Sequence, residues 1–142
     1  QHLGKEYVSA VSVLNFTAYF SRLMSATEKM VADMMRSEAR RVELEKRGYA
    51  RRYADLETET IQFIEDIGSV IHEDLFVAKA RQVHTRLYNM YIRWQNFLAQ
   101  TFLKYSHPYR NMLIAELDGL KQRVGNLDAV IREKEQHVTG KR

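Results

Sequence analysis

The apolar residues in the C-terminal part of the chain recur at alternating intervals of four and three positions. Such a heptad repeat is typical of a helix that packs along a narrow seam, as in coiled coils. The candidate helix-pairing seam consists of Leu113, Leu117, Leu120, Val124, Leu127 and Ile131. Gly119 and Gly125 lie inside this segment. Because each glycine costs a helix about 1 kcal/mol relative to alanine, either packing stabilises this helix or another group approaches its backbone closely.

Three further segments place apolar residues at helical spacing. Residues 83–105 carry a broad apolar face, which is typical of a helix surrounded by other helices. Residues 49–70 carry a heptad-spaced row, and the N-terminal segment from Tyr7 to Met34 is also helical in its spacing. The sequence therefore predicts an all-α fold, an elongated bundle of about four long antiparallel helices with coiled-coil-like packing. We expect residues 1–142 to form a single helical-bundle domain.

Few residues in this sequence mark the ends of helices. The row in residues 49–70 can be extended back through Gly48, so one long helix is compatible with the pattern. A glycine after the basic pair Lys46 and Arg47 is equally a usual helix stop, and the sequence leaves both readings open. A turn near Phe76–Lys79 is expected to fold one helix back on its predecessor. Pro108 predicts a hinge between the last two helices.

Composition limits the class of protein and the kinds of site. The chain is 45% hydrophobic and has no cysteine, which excludes disulfides and thiolate chemistry. No apolar run reaches the roughly 20 residues of a membrane span. Because the sequence starts at Gln1 rather than Met, we expect a fragment or a processed chain, in which a targeting signal could be missing. A cytoplasmic location is the expectation.

Charge is distributed in blocks along the sequence. Residues 54–78 contain seven acidic and no basic residues, whereas residues 79–115 contain six basic and no acidic residues. If the two segments pair as neighbouring helices, their opposite charges favour this pairing over incorrect ones. Residues 36–53 contain seven basic and three acidic residues.

Two groups of residues in the first half are candidates for binding surfaces. On a continuous helix, Arg36, Arg40, Arg47 and Arg51 would share one face and form a candidate phosphate or anionic surface. The interleaved glutamates equally allow a solvated face with internal ion pairs. Methionine adapts to varied partners, so the second group is a candidate docking patch, although such residues also fill gaps in cores. It consists of Met30, Met34 and Met35.

The sequence offers no set of residues for catalysis. No Glu-x-x-His or His-x-x-x-His pair, glycine-rich phosphate loop or nucleophile elbow is present, and we expect no metal, cofactor or catalytic residue. The interpretation that remains is a non-enzymatic protein–protein interaction or oligomerisation module of the adaptor, scaffold or effector type, with a protein partner or a homodimer. Two alternatives stay open. One is a binder of anionic membrane or nucleic acid through Arg36–Arg52, and the other is a ligand-sensing helical domain of a receptor.

Overall fold

The chain is helical in every part that can be described. A computed structural model describes the backbone of residues 2–72, 76–101 and 107–140, and the side chains of residues 16–69, 80–101 and 107–133. Over this part of the chain there are five helices and no strand. They are α1 (His2–Met34), α2 (Glu38–Lys46), α3 (Tyr49–His72), α4 (Phe76–Thr101) and α5 (Arg110–Gly140). The predicted all-α class is confirmed.

The described part of the chain has one helix more than the predicted count of about four. The additional helix is the short α2, which lies between the two long helices of the first half of the chain. Residues 35–37 form a turn after α1, and Ser37 is extended before α2 begins. Gly48 then adopts a φ of 65°, a left-handed conformation that side-chain-bearing residues rarely adopt, and this ends α2. Its carbonyl accepts the N–H of Arg52 as α3 starts. Of the two readings of Gly48, the helix stop is therefore correct.

The sequence also predicts breaks near Phe76–Lys79 and at Pro108. The turn expected at Phe76–Lys79 is not found there, because α4 already begins at Phe76. Residues 73–75 lie outside the described part of the chain. The hinge predicted at Pro108 is confirmed, since α4 ends at Thr101 and α5 begins at Arg110.

The four long helices form a closed ring of contacts around a shared core. Helix α1 packs on α3 and α5, helix α4 packs on the same two helices, and α2 packs on α3. The largest fully buried side chains come from all five helices, and they include Phe20, Leu44, Ile67, Trp94 and Leu113. The predicted apolar face of residues 83–105 points into this core from Val83 to Leu98, and residues 102–106 lie outside the described part of the chain.

Contacts between α3 and α4 show that these helices run in opposite directions. Arg86 binds Asp66 at 2.8 Å, and the Trp94 indole donates to the Thr60 hydroxyl at 3.1 Å. A residue later in α4 therefore contacts a residue earlier in α3, as expected for antiparallel helices. The hydrogen bond between Trp94 and Thr60 is buried, whereas the ion pairs on its flanks are exposed. The expected pairing of an acidic with a basic helix is confirmed here.

Helices α1 and α5 are also antiparallel and come very close at one point. Arg22 binds Glu116 at 2.8 Å, and Asp33 approaches His107 at 3.5 Å. At Gly119, a Cβ atom would lie only 2.6 Å from the Tyr19 ring. The glycine therefore permits this contact, which accounts for one of the two glycines inside the seam.

Replacing each seam glycine by alanine tests this explanation. A Cβ on Gly125 would meet nothing within 4 Å, so Gly125→Ala should raise the free energy of unfolding by about 0.5–1 kcal/mol. Gly119→Ala should lower it by about 1 kcal/mol, because overpacking against Tyr19 outweighs the gain in helix propensity. Urea denaturation followed by circular dichroism measures both. In a Tyr19→Ala background the two substitutions should become equivalent; a persistent difference would contradict the explanation.

Two of the three buried threonines in the described part of the chain, Thr27 and Thr60, provide a matched test of the contact between α3 and α4. Each donates its hydroxyl to a carbonyl four residues earlier, Thr60 to Leu56 and Thr27 to Leu23, both at 2.7 Å. Only Thr60 also accepts a hydrogen bond from Trp94. Thr60→Val should therefore cost about 1–3 kcal/mol of stability, because it leaves the buried indole N–H without its acceptor. Thr27→Val should cost about 1 kcal/mol or less. Equal losses in urea denaturation would refute this role for Thr60.

Candidate interaction surfaces

The predicted helix-pairing seam lies entirely inside the chain's own core. All six side chains, from Leu113 to Ile131, are at most 7% exposed. They are covered by α1 and α4, the two helices on which α5 packs. A second chain could not contact this seam unless the core opened.

The methionine group lies in and against the core, which is the alternative to a docking patch that the sequence left open. Met30 and Met34 are fully buried in the core, and Met35 is half-buried against it. The spacing of these residues follows the inward face of α1 as that helix ends. The flexible side chains of methionine fill this end of the core.

The four arginines of the candidate anionic surface do not share one helix face. Arg36 lies in the turn after α1, Arg40 lies on α2, Arg47 follows the last residue of α2, and Arg51 lies on α3. The predicted stripe assumed a continuous helix, and the positive φ of Gly48 breaks it. The arginines still lie at one end of the fold, where α1 ends and α3 begins.

Two of these arginines have partners within the chain. Arg47 binds Glu43 at 2.8 Å and also donates to the Gln100 carbonyl of α4 at 3.2 Å, so it connects α2 to the end of α4. Arg36 is 3.3 Å from Asp33, although its side chain is largely exposed. Among the described residues no ion pair involves Arg40 or Arg51. The group therefore combines one structural arginine with cations that face solvent.

His107 and Pro108 shape the corner before α5. The Nδ1 atom of His107 accepts the backbone N–H of Tyr109 at 3.1 Å, and the two rings stack at 5.5 Å. Its Nε2 atom lies 3.5 Å from an Asp33 carboxylate oxygen, and the imidazole is buried. This histidine thus acts as a cap for the start of α5, where Pro108 needs no N–H partner.

A surface that the sequence analysis missed lies on the outside of α3. We call it the outer row of α3. It consists of Ala50, Ala54, Thr58, Ile61 and Glu65, and all five are exposed. Ile61 has 47% of its surface open to solvent. The signal was present in the sequence, since each member from Ala54 onward lies two positions before a residue of the buried row on the opposite face.

The described part of the chain contains neither a metal-binding cluster nor a membrane-spanning helix. Within the described side chains, no three His, Cys, Asp or Glu residues come close enough to hold a metal ion. None of the described helices combines the length and apolar character that crossing a membrane requires. Comparisons with protein-family models, with curated proteins and with solved structures found no match to this chain.

Proposed function

We propose that this chain is a non-enzymatic helical interaction module of the adaptor, scaffold or effector type, which forms a homodimer through the outer row of α3. Its long helices act as an elongated antiparallel bundle with coiled-coil-like packing, and this packing occupies their inner faces. The observation that carries the proposal is the exposed Ile61 within a row of small side chains. The non-enzymatic part rests on the sequence, in which no nucleophile–base pair or metal-ligand set can be assembled.

The outer row has the spacing and side-chain sizes that suit a second helix. Its members follow one another at intervals of four, four, three and four residues, which keeps them on one face. Ala50, Ala54 and Thr58 are small, so the backbone of a partner helix can approach closely. Ile61 then supplies the large apolar side chain that gains most from losing contact with water.

A positive charge beside the first residue of the row and a negative charge at its last residue favour a second copy in the antiparallel direction. The positive charge is Arg51, which follows Ala50, and the negative charge is Glu65. Arg51 and Glu65 are both exposed, and no ion pair involves either of them among the described residues. A two-fold axis near the middle of the row brings Arg51 of one chain to Glu65 of the other, and the same contact occurs twice. In this register, Ile61 of each chain packs against Ala54 of its copy, and the two Thr58 residues face each other. A parallel arrangement would instead place like charges together.

A second candidate function is binding to an anionic membrane surface at the α2 end of the fold. One observation favours it: α2 and the turns around it bring together the exposed Arg36 and Lys46 and the half-buried Arg40. Of these, only Arg36 has an ion-pair partner in the described residues, at 3.3 Å. Clustered cations near an anionic surface each contribute about 1 kcal/mol to binding. Glu38 and Glu45 lie on the same helix and would weaken this attraction.

Charge exchange across the outer row tests the homodimer. We expect the native chain to sediment as a dimer at micromolar concentration, and Arg51→Glu or Glu65→Arg to weaken the dimer about tenfold, which corresponds to about 1.4 kcal/mol. The double variant should recover most of the affinity, because both ion pairs reform with reversed sign. Ile61→Lys should abolish the dimer.

The control for charge exchange is Arg123→Glu, which changes net charge equally at an exposed position of α5. It should leave the sedimentation unchanged. A native chain that remains monomeric at high micromolar concentration would contradict self-association. A native dimer that the double variant does not restore would contradict the antiparallel arrangement.

Vesicle binding tests the second candidate. Anionic vesicles should sediment the native chain at about 0.05 M salt and much less at about 0.2 M, since screening weakens the attraction. Replacing Arg36, Arg40 and Lys46 together with glutamine should reduce binding at low salt by at least about tenfold.

The matched control replaces three exposed cations elsewhere, Lys29, Lys121 and Arg123, with glutamine. Both triple variants lose the same net charge, so a specific α2 surface predicts that the control keeps most of its binding. Equal losses would show that net charge alone is responsible.

A further inference from the structure

A groove of about 430 Å³ runs between α4 and α5 on the outside of the fold. Its volume falls within the range of small-molecule sites in proteins, which is about 300–1,000 Å³. The buried Tyr91 and Val124 form part of its lining, so its deepest part is apolar. The side chains that decide its chemistry are His84, Tyr88, Gln95, Lys121 and Asp128.

Gly125 lies in the middle of the groove and has no structural explanation inside the chain. A Cβ at this position would meet nothing within 4 Å, in contrast to the tight contact at Gly119. A glycine inside α5 destabilises the helix, and no neighbouring side chain uses the space that it leaves. The effect of the glycine is to open the groove, because any larger residue would project into it.

One wall of the groove is aromatic. Tyr88 lines the groove and has 49% of its surface exposed. Its ring lies 6.5 Å from the His84 ring at an angle of 21°, and 6.3 Å from the Tyr91 ring. The neighbouring rings restrict the Tyr88 side chain, and its exposed ring offers an aromatic surface on which a planar ligand can stack.

Of the aspartate and the lysine that line the groove, Asp128 is already paired and Lys121 has no ion-pair partner among the described residues. Asp128 is held at one end by Arg81 at 2.7 Å and by Arg132 at 3.1 Å. Partial burial opposes its ionisation, but the hydrogen bond from Arg81 and the charges of Arg132 and His84 keep the pKa of Asp128 below its usual value. This carboxylate is therefore ionised and already neutralised. Lys121 lines the groove, and no ion pair involves it among the described residues.

We propose that this groove is a binding site for a small planar aromatic anion, such as an aromatic carboxylate. The ring stacks on Tyr88 over the open backbone of Gly125, and the anionic group pairs with Lys121. Gln95, at the same end of the groove as Lys121, adds a hydrogen-bond donor for the carboxylate. This site is independent of the outer row of α3 and goes beyond the proposed interaction function.

The charges of the groove favour an anionic aromatic ligand over a cationic or a neutral one. A cationic aromatic ligand could not pair with Asp128, because Arg81 and Arg132 already bind this carboxylate. A neutral aromatic could stack on Tyr88 but would leave Lys121 without a partner. The anionic ligand satisfies both the exposed ring and the free ammonium group, which is why we choose it.

Nuclear magnetic resonance titration of the isotope-labelled chain with 2-naphthoate tests the site. A ligand of this size should bind with a dissociation constant of about 1 mM. We expect amide shifts to concentrate at residues 121–128 and around Tyr88. The neutral analogue 2-naphthamide should bind about fivefold more weakly, because it cannot pair with Lys121.

Variants of the groove separate binding at this site from nonspecific association. Lys121→Gln should weaken 2-naphthoate about fivefold and leave 2-naphthamide unchanged. Gly125→Leu should abolish the localised shifts, since its side chain fills the groove. The matched control is Gly68→Leu, which adds the same side chain to another helical glycine with nothing within 4 Å. This control should bind as the native chain does.

Three results would overturn the proposal. They are shifts spread over the whole surface, equal binding of the acid and the amide, and unchanged binding by a folded Gly125→Leu variant. If Gly125→Leu fails to fold, Gly125→Ala and Tyr88→Ala take its place, and each should weaken binding about threefold or more. None of these outcomes bears on the homodimer, because no groove residue belongs to the outer row of α3.

Discussion

The hydrogen bond from Trp94 to Thr60 is the contact on which the arrangement of α3 and α4 depends. It is a buried polar contact between these two helices, at 3.1 Å. A buried indole N–H without an acceptor is costly, so sliding one helix along the other by a turn would be penalised. The exposed ion pairs on α3 and α4 fit the same register but contribute little individually. The buried bond therefore selects the register, and the charges add to it.

The same register fixes the positions of α1 and α5 through the ring of contacts. Tyr53 of α3 donates its hydroxyl to the Met24 carbonyl of α1 at 3.2 Å, and burial raises the pKa of this tyrosine, so it keeps its proton. Helix α1 then meets α5 where Tyr19 lies over Gly119. Each of these contacts depends on a polar group or a glycine that lies within an apolar helix face. They give direction and register to packing that hydrophobic burial alone would leave less specific.

Helical periodicity predicted which faces of the chain are buried, but it could not predict what covers them. The seam from Leu113 to Ile131 and the face around Trp94 are buried as their spacing indicates. Spacing alone does not distinguish a helix of the same chain from a second chain, so the sequence left the methionines open between a docking surface and the core, and Met30 and Met34 are buried in the core. The turn at residues 35–37 contains no proline or glycine, and nothing local marked it. Gly48 was ambiguous because the apolar row continues through it.

The candidate surfaces were hard to find from the sequence, because they depend on which residues have no neighbouring side chain in the folded structure. Gly119 and Gly125 have the same local sequence signal, yet one faces Tyr19 and the other faces open space. Only the packing of α1 distinguishes them. The outer row of α3 and the groove also lie on different parts of the fold, because α3 and α5 are not among its closely packed pairs of helices. A ligand over Gly125 would therefore leave Ile61 free, so a dimer through α3 and an occupied groove can exist in the same molecule.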